Sequence, residues 1–138
     1  MGRDLAAACV TVLLDTHAWV WWAAEPERLS DRATTAIAAA GTVLLASISC
    51  WEVAMLAAKD RVRFDRPVER WIRQALARPG LAAVPLTPRV ATAAGVLPAS
   101  FPGDPADRMI YATARAEGAE LITRDGRLRE FDPRGTRW

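Results

Sequence analysis

Short aliphatic runs recur along this chain, and a helix-patterned stretch separates each from the next. Residues 10–14, 42–47, 81–86 and 119–123 are apolar over most of their length rather than alternating. A strand covered on both faces reads that way, and such strands belong to parallel sheets. Between them, residues 17–24, 31–40, 49–59, 88–97, 104–117 and 127–131 read as helices, with another running from Pro67 to the stop at Pro79-Gly80. Ser30 is a favoured N-cap for the helix that follows it, and Pro67 suits a first helical position. Pro26, Gly41 and Gly118 interrupt or close helices. Strands joined through helices require crossover connections. The pattern therefore predicts an α/β fold with a central, mostly parallel sheet of four to five strands and helices on both faces.

The 138 residues fit one domain spanning 1–138, long enough to bury about two-thirds of the unfolded surface without a staple. Residues 1–9 read as a disordered start or a segment foreign to the domain, and 132–138 as a loose tail. Cys9 and Cys50 show neither CxxC spacing nor a signal peptide ahead of them, which points to free thiols in a reducing cytosol. The opening MGRDLAAACVTVLL is too short and too polar to span a bilayer. A net charge of +2 says little about partners. Lys59 is the sole lysine, so the basic groups are nearly all arginine, the residue suited to bidentate phosphate contacts or simply favoured by a GC-rich genome.

Four acids from distant parts of the chain fall where strands give way to helices. They are Asp15 in VLLDTHAW, Glu52 in SISCWEV, Asp107 in GDPADRMIYATA and Asp125 in LITRDGRL. In an open α/β sheet the carboxyl ends of the strands border one ligand crevice. Several carboxylates in such a crevice, with little lysine nearby, attract divalent cations. Each acid also has a plain structural reading. Asp15 suits an N-cap, Ser49 and Glu52 match a capping box, Asp104 suits an N-cap before Pro105, and Asp125-Gly126 suits a turn. Asp107 is expected as the inner ligand and Asp104 as an outer ligand or cap. The hydroxyls of Thr16 and Thr123 could orient a carboxylate or a water. Jointly the acids imply one or two Mg²⁺ or Mn²⁺ ions and metal-assisted attack of water on a phosphate ester.

His17 is the sole histidine, which argues against zinc, and no GxxxxGK[ST] or GxGxxG loop occurs. Trp19, Trp21 and Trp22 cannot all share one helix face, so at least one should meet solvent or a partner chain. Arg124 and Arg127 flank Asp125 and are expected to contact phosphate. Arg61, Arg63, Arg66, Arg70 and Arg73 form a basic stretch that reads equally as an RNA-backbone contact or a solvated face. A phosphoacceptor receiver module would need a lysine near the last strands, and a haloacid-dehalogenase-like phosphatase an acid where His17 stands. A catalytically silent module, whose acidic pocket captures a partner's arginine, remains the alternative to an enzyme.

The stretches LLDTHAWVWW, ASISCWEVAML and FPGDPADRMIYATARAEGAELITRDGRL resemble the PIN-domain nucleases, and among them the VapC-type toxins of bacterial type II toxin–antitoxin pairs. The family pattern falls on Asp15, Glu52, Asp107 and Asp125. The resemblance implies a PIN-like three-layer α/β/α domain and a Mg²⁺- or Mn²⁺-dependent endoribonuclease acting on structured RNA such as tRNA or rRNA. It also implies a VapB-type antitoxin, a homodimer and a cytoplasmic setting.

Overall fold

The computed structural model describes residues 10–138. Within them the strands are β1 (Thr11–Leu14), β2 (Thr42–Ala46), β3 (Leu81–Val84), β4 (Glu120–Ile122) and β5 (Thr136–Arg137). They form one five-stranded sheet in the order β3-β2-β1-β4-β5, and every pairing is parallel. The helices are α1 (Thr16–Ala24), α2 (Asp31–Ala39), α3 (Ile48–Ala58), α4 (Val68–Leu76), α5 (Pro88–Gly95), α6 (Pro105–Ala116) and α7 (Gly126–Phe131). This is the three-layer α/β/α arrangement expected from the sequence.

The aliphatic runs are continuous because both sheet faces are covered. Val12, Leu14, Val43, Leu45 and Ile122 pack with Trp19 of α1, Ile37 of α2, Val53 of α3 and Trp71 of α4. The alternate residues Leu13, Leu44 and Leu121 pack with Ile110 and Tyr111 of α6 and Leu128 of α7. Helix α5 lies outside α6, joined through Val90, Ala94 and Ala112. A fully buried leucine such as Leu14 contributes enough that truncation to Ala costs about 2–5 kcal/mol.

One expectation changes. The tail over 132–138 is not loose, because β5 extends the sheet beside β4. Arg137 donates to both Glu120 oxygens at 2.7 and 3.1 Å, and the Trp138 ring meets Trp21 at 5.8 Å between centroids. The tryptophan expectation is met by Trp22, which stays partly exposed with the Arg78 guanidinium 3.5 Å from its ring, while Trp19 and Trp21 are buried. Residues 1–9, read as a disordered start or a segment foreign to the domain, lie outside the described residues, and Cys9 is among them. Among the described residues no helix is long and apolar enough to cross a membrane.

Candidate functional site

The chain builds β1, β2 and β3 outward to one side, then returns to place β4 against the other side of β1. The carboxyl ends of β1 and β4 therefore meet where the strand order reverses, the usual place for a crevice. Asp15 is the first residue past β1. Its N–H donates to the Ile122 carbonyl at 3.1 Å, and its Oδ1 accepts from Ala18 N at 2.8 Å, capping α1. The buried Thr123 hydroxyl accepts from Asp125 N at 3.1 Å and stands close enough to the Asp15 carboxylate to favour its charge. Burial pushes Asp15 above the usual carboxylate range and the Glu52 charge adds to it. Thr123, the Ala18 N–H and His17 pull in the opposite direction.

Glu52 does not close a capping box. Helix α3 begins at Ile48 behind Ser47, so Ser49 lies inside the helix and is buried. Thr16 explains the difference. Its hydroxyl donates to Glu52 Oε1 and is hydrogen-bonded to Ser49 Oγ at 2.9 Å, which satisfies Ser49 without the helix N-terminus. Thr16 was expected near Asp15, and it fixes the more remote Glu52.

The capping box forms instead at α6. Asp107 N donates to Asp104 Oδ1 at 2.9 Å, and Asp104 N donates to Asp107 Oδ2 at 3.2 Å, with Pro105 between them in the first turn. A Cβ on Gly103 would lie 2.5 Å from Asp107 Cβ and 2.7 Å from the Phe101 ring, so only glycine lets the loop pass here. Burial, then the charges of Asp104 and Glu52, push the Asp107 carboxyl up to about 7. Oxygens of Glu52, Asp104 and Asp107 all lie within 4.8 Å of one another.

A cavity of about 610 Å³ gathers Asp15, Glu52, Asp104, Asp107 and Asp125 on its lining. The tightest carboxylate group is Glu52, Asp104 and Asp107, in which Asp104 joins more closely than expected. Asp15 and Asp125 line the same cavity outside that triplet. Asp125 caps α7, accepting from Arg127 N at 2.9 Å. Arg124 lines the cavity, whereas the exposed Arg127 stands beside Asp125 at 3.8 Å and is not part of the lining. The residue missed in the sequence is Arg28, which lines the cavity from the turn after α1 with its guanidinium 4.8 Å from the Trp21 ring. An arginine in PERLS beyond a helix-breaking proline carries no local signal of this.

Five carboxylates and two bordering arginines suit a divalent cation together with a phosphate. The PIN domain family model matches residues 12–133. The chain belongs to the PIN-domain family. Within it, the chain is 50% identical over 119 residues to Ribonuclease VapC22 of Mycobacterium tuberculosis (strain ATCC 25618 / H37Rv), covering 86% of this chain and 90% of that protein. The fold is similar to a toxin–antitoxin complex from Klebsiella pneumoniae (TM-score 0.65, 23% identity, 92% of this chain and 96% of that one). It is also similar to VapBC2 from Rickettsia felis, solved with a DNA fragment from their promoter (TM-score 0.67, 15% identity, 93% and 98%).

Proposed function

We propose that this chain is a VapC-type toxin, a Mg²⁺- or Mn²⁺-dependent endoribonuclease that cleaves structured RNA such as tRNA or rRNA and is silenced by a VapB-type antitoxin. The observation that carries the reading is the triplet of Glu52, Asp104 and Asp107 oxygens within 4.8 Å, in one cavity with Asp15. The 50% identical relative named as a ribonuclease supports the activity. The solved toxin–antitoxin complexes of similar fold support the partner. A homodimer and a cytosolic setting belong to the same reading.

The donor set fits hard divalent cations. All three members offer carboxylate oxygens, and Asp107 near 7 marks negative charge that lacks a counter-ion. Glu52, Asp104 and Asp107 would hold one ion, with Asp15 and Asp125 placed to share it or a second. When bound, the ion supplies Lewis acidity to the phosphate oxygens and makes water a stronger acid. The remaining work belongs to the chain. Thr16 holds Glu52 in one rotamer, and the capping box fixes Asp104 against Asp107. Asp15, whose proton affinity burial raises, takes the proton of the attacking water at its carboxylate. Arg28 and Arg124 hold the phosphate at the rim. An antitoxin silences this site by placing a basic side chain among the carboxylates.

The test is purified protein with total RNA, in Mn²⁺ and in EDTA, with new ends mapped. Cleavage in Mn²⁺ alone is expected. Asp15→Asn should lower it by at least about 100-fold, because it removes the carboxylate that takes the water's proton while an asparagine still caps α1. Wild-type protein that cuts no RNA in Mn²⁺ would instead favour the silent, arginine-capturing module.

A further inference from the structure

The acidic cavity continues past Arg28 into a hollow of opposite charge. His17, Trp21 and Arg28 line both, and Arg61, Arg63 and Phe64 line the second, which measures about 420 Å³. The loop after α3 carries these last three. Asp60 there adopts φ 56°, a left-handed conformation that aspartate tolerates better than most residues, and the chain reverses. Arg61 N donates to the Leu56 carbonyl at 2.9 Å, closing the turn. Phe64 stacks on buried Trp71 with centroids 4.3 Å apart, which anchors the loop to the core.

The basic stretch read from the sequence is thereby divided. Arg66 is neutralised by Asp65 at 2.7 Å and donates to Gln74 at 2.6 Å. Among the described residues, no carboxylate lies within ion-pairing distance of Arg61 or Arg63. Arg28 has Glu25 at 3.3 Å, an exposed pair of small strength, and its guanidinium lies over Trp21. Uncompensated arginines beside aromatic and imidazole rings are the components with which proteins hold single-stranded RNA: phosphates on the cations, bases on the planar groups. The hollow falls in the size range of ligand clefts, about 300–1,000 Å³. A strand with its phosphate in the acidic cavity must leave it, and the three shared residues set an exit here.

We propose that His17, Trp21, Arg28, Arg61, Arg63 and Phe64 form a subsite for the nucleotide next to the scissile phosphate. The proposal rests on the nuclease reading above. Arg61 and Arg63 take backbone phosphates, and the Arg28 plane over Trp21 takes a base.

The test compares wild type with the Arg61→Ala, Arg63→Ala double variant and with Arg70→Ala as a surface control. Binding to a single-stranded RNA is read by fluorescence anisotropy in EDTA, and cleavage of a hairpin RNA is followed in Mn²⁺. The double variant should weaken single-strand binding about 10-fold and raise KM by a similar factor, with kcat changing far less. Two lost phosphate contacts should also reduce the salt slope by about 1.4. Arg70→Ala should match wild type, and replacing both arginines by lysine should restore part of the binding. An unchanged KM and salt slope with cleavage intact would overturn the subsite alone. So would a double variant that binds RNA normally yet loses an acidic antitoxin peptide, because the hollow would then serve a protein. Single-strand binding that depends on Arg61 and Arg63, without cleavage in Mn²⁺, would retain the subsite and reject the nuclease.

Discussion

The crowded carboxylates should destabilise the metal-free protein, and Asp107→Asn measures by how much. The Asp107 carboxyl lies at about 7 instead of 3.8. A group whose folded-state value is raised favours folding below its unfolded value and loses that contribution as pH rises through the folded value. The window therefore runs from about pH 4 to about pH 7. Each unit is worth about 1.4 kcal/mol, which bounds the whole displacement at about 4 kcal/mol. The side chain is partly exposed, so screening lowers the expected effect to about 1–2 kcal/mol. Asparagine removes the charge, and its amide oxygen still accepts from Asp104 N. In EDTA at pH 8, Asp107→Asn should melt about 3–8 °C above wild type. The gap should close towards pH 5, where wild-type Asp107 carries its proton. Mn²⁺ should reverse the order by stabilising wild type more. Melting curves in EDTA and in Mn²⁺ across this pH range provide the measurement. A variant that melts at or below wild type at pH 8 in EDTA, or a gap that ignores pH, would refute the reasoning.

Three further outcomes follow from the same contacts. Gly103→Ala forces a methyl group against Asp107 and Phe101, and should cost about 1–3 kcal/mol in urea unfolding and lower cleavage at least about 10-fold. Thr16→Val leaves buried Ser49 and the Glu52 carboxylate without their hydroxyl, and calorimetry should show Mn²⁺ affinity reduced about 10- to 100-fold. Trp138→Ala uncovers Trp21 and should cost about 2–3 kcal/mol, whereas an unchanged urea midpoint would mean that the tail contributes nothing.

The sheet was legible because burial on both faces leaves a direct mark in the residues. Leu13 and Leu14 point to opposite layers, and both are leucine. The fifth strand was not legible, since Thr136–Arg137 has no aliphatic run. Its order comes from Glu120, Leu121 and Trp21, partners far away in sequence. The capping pattern at Ser49 was locally sound and failed for a similar reason. A hydroxyl 33 residues earlier supplied the hydrogen bond that the helix end would otherwise have supplied. Arg28 entered the cavity unannounced because the turn after α1, rather than any neighbour in sequence, carries it there.

Capping and ion binding were posed as rival roles for the acids, yet the fold makes them compatible. In a parallel sheet each strand leads into a helix whose N-terminus opens at the same crevice as the strand's carboxyl end. An aspartate that caps such a helix therefore already stands at the crevice. Asp15, Asp104 and Asp125 each receive the first turn of their helix on Oδ1, from Ala18, Asp107 and Arg127 respectively. The second oxygen of each remains outside those caps. Helix N-termini favour negative charge, so the caps offset part of the repulsion among these carboxylates. Glu52 caps nothing and needs Thr16 to hold it. The two kinds of acid should then respond differently to amide replacement. Asn at Asp15 or Asp125 keeps the cap and loses the charge. Gln at Glu52 exchanges a carboxylate for a weaker acceptor of the Thr16 proton, so it should loosen α1 against α3 as well as the site.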